Sequence, residues 1–338
     1  MLDFRANRPP EVPVLLLSPP RSALDRRRFL TGAAGLAAVL GATACGGGED
    51  PAPASGATRT IEGAFGPVEV PADPQRVVST DFYTPWALLD VGFTVVGTVQ
   101  ASTGGVLPEY QAAYEAMSRI GTPAEVDFEA LAALQPDLVL GTLVPDLPVD
   151  LNDRLSGVAP TLLFEAAREP GTWQERAVRA ADVVGRGPEA EALRAEYEQQ
   201  AADLGVRYAE VLGRTRFALV RGGPQGNALV DLPASWSGVV LEEAGVRFGS
   251  VAEGRPGVFE PLSFEELGHL EDCDVVLHLV DTTGEVDDNT QRLLDQPTFQ
   301  TLPAAREGRV FPLPNYYVSH YRQAQAVLDR LDTVLAGL

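Results

Sequence analysis

Short all-apolar runs alternate along this chain with stretches in which leucine or alanine recurs every three or four residues. The first pattern is that of buried strands and the second that of amphipathic helices. Arg76–Ser79, Val95–Gly97, Leu138–Gly141, Pro160–Phe164, Arg216–Val220, Val275–Leu277 and Val310–Leu313 read as strands. Thr84–Asp90, Phe128–Leu134, Leu151–Leu155, Thr172–Val184, Ser235–Ala244, Leu293–Leu302 and Arg322–Leu335 read as helices between and after them. Residues 61–70 alternate around Gly66-Pro67 and predict a hairpin. Pro85 fits the first turn of its helix, and Gly92 and Gly245 close theirs. Strands alternating with helices predict an α/β fold with mostly parallel sheets flanked by helices.

The pattern also repeats itself. Phe128–Leu140 and Phe264–Leu277 each give a short helix with leucine on one face, a turn carrying aspartate, and an apolar strand, with one residue inserted near the turn. Leu88–Gly92 and Leu241–Gly245 form a second pair. Two similar units this far apart predict two lobes, residues 59–172 and 214–338, with residues 173–213 between them. From Glu189 to Leu212 no proline intervenes, and Leu193, Tyr197, Ala201, Leu204, Tyr208 and Leu212 keep helical spacing. A single helix of that length, ~36 Å at ~1.5 Å per residue, would serve as a strut, with Gly205 its weak point. The space between two such lobes is where a small ligand binds.

Charge narrows the partners. The chain has no lysine and a net charge of −21; residues 1–44 hold six arginines against three acids, so the rest carries −24. A surface this acidic argues against nucleic acid and against adsorption to anionic lipid. With two cysteines, Cys45 and Cys273, there is no disulfide framework.

Residues 1–44 read as an address. Asp25-Arg26-Arg27-Arg28-Phe29-Leu30 resembles a twin-arginine export motif, and the apolar run Ala33–Ala44 is too short for a bilayer, which needs ~20 residues. Gly41-Ala42-Thr43-Ala44-Cys45 resembles a bacterial lipobox, with Ala42 where leucine is usual. Cys45 is therefore the expected lipidation site. Residues 45–58, rich in Gly, Ala, Pro and Ser, form a flexible tether that would hold the protein at the outer face of the cell membrane.

Four phrases carry a family resemblance: Val70–Val78, Phe128–Val139, Trp236-Ser237-Gly238 and Leu302–Val310. In order and spacing, residues 59–338 resemble the iron–siderophore substrate-binding lipoproteins of ABC importers, a helical-backbone class that includes haem and cobalamin binders. The resemblance implies a class III fold of two Rossmann-like lobes joined by one long rigid helix. It also implies a monomeric carrier without catalysis or cofactor of its own, whose ligand is a ferric siderophore with the iron held by the siderophore. The loaded protein would dock on an ABC transporter permease dimer. Glu129 and Glu265 occupy matching places in the repeat, and the resemblance assigns such a pair to permease arginines; helix-terminus charge compensation is the plainer role for both.

Candidate chemistry follows the loops at the C-terminal ends of the strands. Tyr83 and Trp86 follow the first strand, Trp236 opens a helix, and Tyr316 and Tyr317 follow the last strand. Trp86 could equally be core, and strand alternation would turn only one of the tyrosine pair to the cleft. Arg221 ends a strand, and its fork suits several anionic oxygens at once; the resemblance implies contact with the chelating oxygens. The acidic chain, with few arginines on these loops, favours a hydroxamate or mixed-ligand siderophore, neutral or cationic when loaded. His269, His278 and His320 are scattered, which argues against a direct metal site. Gly222–Gly226 lacks the Lys and Ser/Thr of a phosphate loop and reads as a turn, and Cys273 reads as an inert thiol. Haem or a corrinoid in the same fold is the alternative ligand. An exported α/β enzyme would need a clustered acid, base or nucleophile, and none is apparent.

Overall fold

The computed structural model describes residues 56–101, 106–143, 150–165 and 173–338. The twin-arginine motif, the run before Cys45, Cys45 itself and most of the tether lie outside the described residues. An antiparallel hairpin comes first, β1 (Thr58–Gly63) and β2 (Gly66–Pro71), turning at Gly66 with φ 102°. It docks through the Ala64 amide on the Leu163 carbonyl.

The first half then runs β3 (Val77–Ser79), α1 (Thr84–Asp90), β4 (Gly97–Thr98), α2 (Gln111–Ala116), β5 (Ser118–Arg119), α3 (Phe128–Ala133), β6 (Leu138–Leu143), α4 (Leu151–Ser156) and β7 (Thr161–Glu165). Its sheet is wholly parallel, in the order β5-β4-β3-β6-β7. Alternation explains its two buried faces. Val77, Leu138, Leu140, Leu162 and Phe164 pack on the hairpin side, whereas Val78, Val139 and Leu163 pack on Leu131, Leu151 and Leu155.

Three helices follow: α5 (Trp173–Val183), α6 (Gly187–Arg207) and α7 (Ala209–Arg214). Ala190, Leu193, Tyr197, Ala201 and Leu204 make the buried stripe of α6. The single helix expected to Leu212 is broken, and not at Gly205. Tyr208 leaves helical geometry at φ −109°, ψ 22°, while its hydroxyl donates to Asp332 at 2.6 Å. Gly205 stays helical, where a Cβ would crowd the Ala244 carbonyl.

The second half is β8 (Arg216–Gly223), β9 (Asn227–Asp231), α8 (Trp236–Glu243), β10 (Arg247–Phe248), β11 (Phe259–Leu262), a 3-10 helix Phe264–Leu270 and β12 (Val275–Leu279). It continues with α9 (Asp288–Leu294), α10 (Pro297–Gln300), α11 (Pro303–Arg306), β13 (Val310–Leu313) and α12 (Tyr321–Leu335). The sheet order is β11-β9-β8-β12-β13, with β10 beside the start of β8. β9 and β11 are antiparallel and were not anticipated; the amphipathic stretch Leu293–Leu302 divides where Pro297 opens α10.

The repeat is one of topology. β4-β3-β6-β7 and β10-β8-β12-β13 have the same order and direction. Gly92 and Gly245 have φ of 75° and 88° after equivalent helices, a conformation that favours glycine. Glu129 and Glu265 are each the second residue of their helices, after Asp127 and Ser263, and both are exposed. Asp127 accepts from the Glu129 and Ala130 amides, and Ser263 forms a capping box with Glu266.

Candidate functional site

A cavity of about 660 Å³ opens where the C-terminal ends of β3, β8, β12 and β13 meet. The first half supplies Phe82, Tyr83 and Trp86, with Val106 and Leu107 beside them. Asp81 sets this wall. Its carboxylate accepts from the Tyr83 and Thr84 amides, each at 2.7 Å, and from the Thr84 hydroxyl at 2.9 Å, which starts α1 at the sheet edge. The Phe82 and Tyr83 rings meet at a tilt of 51° with centroids 4.3 Å apart, and the Arg176 guanidinium backs Tyr83 at 4.7 Å. Burial pushes the Tyr83 phenol up, opposed by Arg176. Trp86 is buried and still forms part of the wall, so it serves both core and cavity.

The second half supplies Trp236, Tyr316 and Tyr317. Trp236 is the first residue of α8, capped by Ser235, and meets Tyr317 edge-on at 5.1 Å. Both tyrosines reach the wall. Asn315, at φ 60°, breaks the strand alternation just before them, in a conformation asparagine tolerates. Ser237 donates its hydroxyl to the Tyr316 carbonyl and ties the pair to α8. Tyr316 is fully buried and Tyr317 half-buried, so Tyr317 offers the larger face.

Arg221 sits behind this wall and is not among its lining residues. Its Nε donates to Asp231 at 3.2 Å, and its guanidinium lies 5.8 Å from the Tyr317 ring and 5.2 Å from Phe259. Asp231 has no exposure; burial pushes its carboxyl up to about 6, against the opposing pull of Arg221. The structure thus brings Tyr83, Trp86, Trp236, Tyr316 and Tyr317 together and turns Arg221 to a carboxylate.

The sequence reading missed two parts of the wall. The β12–α9 connection contributes Asp281, Glu285 and Asp287, and no arginine lines the cavity among the described residues. Asp281 accepts from the Thr283 amide and hydroxyl and from the Glu285 amide, hydrogen bonds that hold its carboxyl below the usual range. Asp287 caps α9. The start of α12 contributes Ser319, His320 and Gln323, all buried. His320 Nδ1 lies 2.8 Å from Asp90, the last residue of α1. Asp90 also accepts from the Tyr110 hydroxyl and the Arg322 amide. Burial would raise the Asp90 carboxyl, but His320 and these hydrogen bonds outweigh it and leave it below its ordinary value. This cluster joins the two halves at the cavity. His269 is exposed on the 3-10 helix, and burial depresses His278 at the end of β12. Among the described residues no group of three or more His, Cys, Asp or Glu could hold a metal ion. Cys273 is buried, and burial pushes its thiol up to about 12.

Two sheets of one topology around an aromatic cavity define a two-lobed α/β binding protein. The family model described as periplasmic binding protein matches residues 86–317, and the chain belongs to that family. It is 31% identical to the siderophore periplasmic binding protein from the fuscachelin gene cluster of Thermobifida fusca. That match covers 80% of this chain and 99% of that one, with a TM-score of 0.72. It is 27% identical over 217 residues to the probable siderophore-binding lipoprotein YfiY of Bacillus subtilis, covering 63% of this chain and 65% of that protein. It is also 27% identical over 200 residues to the Fe(3+) dicitrate-binding periplasmic protein FecB of Escherichia coli, covering 58% and 64%. The matches span just under two thirds of these two curated relatives. Staphylococcus aureus SirA shares the fold, with a TM-score of 0.68 at 17% identity.

Proposed function

We propose that this protein is an extracytoplasmic solute-binding lipoprotein that captures a ferric siderophore and delivers it to an ABC importer. The observation that carries the reading is the aromatic cavity between repeat-related halves, in a chain 31% identical to a siderophore periplasmic binding protein. Tyr83, Trp86, Trp236, Tyr316 and Tyr317 form the contact surface, and Arg221 acts on the chelate from behind Tyr317. Residues 59–172 and 214–338 act as the two lobes, and residues 173–213 limit their relative motion. Cys45 carries the lipid anchor, and residues 45–58 tether the protein to the outer face of the membrane. Glu129 and Glu265 dock on the two subunits of a permease dimer. Iron belongs to the cargo, so the protein needs no cofactor.

Trp86 and Trp236 line the cavity, so their fluorescence reports occupancy. Titration with ferric trihydroxamate, ferric tris-catecholate, ferric citrate, haemin and cobalamin tests the reading. Saturable quenching by a ferric chelate at micromolar concentration or below is the expected result. Quenching by haemin or cobalamin alone would overturn it.

A further inference from the structure

Resting on the siderophore reading, we infer that the start of α12 is the polar seat of the ferric chelate, and that the Gln323 side-chain amide donates a hydrogen bond to its oxygens. Gln323 is 7% exposed and lines the cavity. Its Oε1 accepts from the Ser319 amide at 3.0 Å and from the Ser319 hydroxyl at 3.3 Å. A backbone N–H is a donor only, so the atom facing it must be the amide oxygen. That fixes the flip of the side chain. The amide nitrogen, with two N–H donors, has no protein partner among the described residues, and the side chain lines the cavity, which leaves these donors free for a ligand. A ligand oxygen in the cavity supplies the missing partner.

The seat is rigid. His320, three residues earlier on the same turn, also lines the cavity. Asp90 holds its Nδ1, and Asp90 is itself fixed by the Tyr110 hydroxyl and the Arg322 amide. The donors therefore need no reorganisation when a ligand arrives, which keeps the ordering cost low. The chemistry selected is an oxygen acceptor: a hydroxamate, catecholate, carboxylate or amide carbonyl oxygen at the iron-binding core. Asp281 and Glu285 repel the same oxygens from their part of the wall. The chelate thus enters with its iron-binding oxygens toward Gln323 and its neutral or cationic periphery toward residues 281–287.

The test is Gln323→Glu, which keeps an oxygen for the Ser319 amide but replaces the donor by a second acceptor. Wild type and variant are titrated with the ferric trihydroxamate, tris-catecholate and citrate probes, and with haemin and cobalamin. Losing a hydrogen bond to a charged group, and gaining a repulsion, should weaken the best wild-type ferric probe at least tenfold to a hundredfold. The thermal midpoint should move by only a few degrees. Equal affinity in the two proteins overturns the inference and leaves the siderophore reading standing. Wild type binding only haemin or cobalamin overturns both. A second measurement does not depend on the fold of Gln323→Glu. The side-chain amide signals of Gln323 in a ¹⁵N spectrum, assigned by their loss in Gln323→Leu, should shift when the gallium form of the best ferric probe is added. Signals that stay in place at saturation overturn the inference.

Discussion

Both halves back a cavity tyrosine with a guanidinium, but they build it differently. In the first half β3 is three residues long, and Arg176 reaches Tyr83 from α5. In the second half β8 runs eight residues and turns back into β9, and Arg221 on that extension lies near Tyr317, paired to Asp231 on the returning strand. The hairpin shares one edge of β8 with β10: β10 pairs Arg216 and Phe217, and β9 pairs Leu219–Gly223. A repeated topology thus tolerates an inserted hairpin after β8 while the two helix starts that carry Glu129 and Glu265 stay matched. Symmetry survives at the proposed docking surface and is lost at the cavity.

The largest expected effect tests the surviving symmetry. Two weak contacts on one rigid body act together through effective concentration. Glu129→Gln and Glu265→Gln should each remove much of siderophore-dependent iron uptake in cells, and the double variant nearly all of it. Ligand affinity in vitro should not change. Normal uptake by the double variant, or ligand affinity falling in step with uptake, would sink the docking role.

The lost symmetry is tested by removing each arginine. Asp231 has no exposure and its carboxyl already sits at about 6, so in Arg221→Ala it takes up a proton at pH 7, and the cost is that of a lost hydrogen bond between charged groups, about 1.5–3 kcal/mol. Asp81 keeps three hydrogen bonds from Tyr83 and Thr84, so Arg176→Ala should cost less, about 1 kcal/mol for a cation–π contact. Urea unfolding at pH 7 measures both. Equal losses would mean that the two backings are equivalent after all.

How much of this was legible in the sequence follows the range of the causes. Helix ends at Gly92 and Gly245 and the strand runs are local, and so is the rule that loops after strands line the cleft; those elements and the five aromatic wall residues followed from it. β9 carries little local signal, because Asn227–Asp231 is a short run after a glycine-rich turn, with no second strand signal beside it. Without β9, Arg221 had no visible partner and read as free for a ligand. The break at Tyr208 depends on Asp332, and the latch on His320 depends on Asp90, partners more than a hundred residues away that no spacing rule connects. The acidic part of the wall follows β12 as the rule requires, but its carboxylates on a loop look like any solvated acidic turn in a chain this acidic.

The two halves also bury carboxylates with opposite pH signatures. Asp231 in the second half is raised to about 6. Between about pH 4, where an unfolded aspartate titrates, and pH 6, the folded state holds the extra proton, so this group makes stability fall as pH rises. The span of about two pH units corresponds to roughly 3 kcal/mol. Asp90 in the first half is lowered. Its contribution is present above about pH 4 and is lost as pH falls through its folded value. Asp231→Asn should flatten the loss between pH 4 and 6, and Asp90→Asn should flatten the loss on the acid side. Urea midpoints across pH 3–7 decide it; a Asp231→Asn profile parallel to wild type would contradict the raised carboxyl.

The smallest expected effect asks which tyrosine wall binds more tightly. Tyr317 is half-buried, meets Trp236 edge-on at 5.1 Å, and is anchored because α8 is tied to the Tyr316 carbonyl. Tyr83 is also half-buried, but its neighbour Phe82 leans against it with ring centroids 4.3 Å apart and the rings tilted by 51°. An aromatic ring buried against a ligand contributes about 1.5–3 kcal/mol. Trp236→Ala and Tyr317→Ala should therefore weaken the best ferric probe about tenfold to a hundredfold. Tyr83→Ala should lose less, because Phe82 can settle into the vacated space and keep the wall apolar. The variant Phe82→Ala/Tyr83→Ala removes that substitute and should match the loss at Trp236. Fluorescence titration resolves these differences, with Trp86 as the reporter in Trp236→Ala. If Tyr83→Ala alone costs as much as Tyr317→Ala, the two walls hold the chelate equally, and the hairpin of the second half adds nothing to binding.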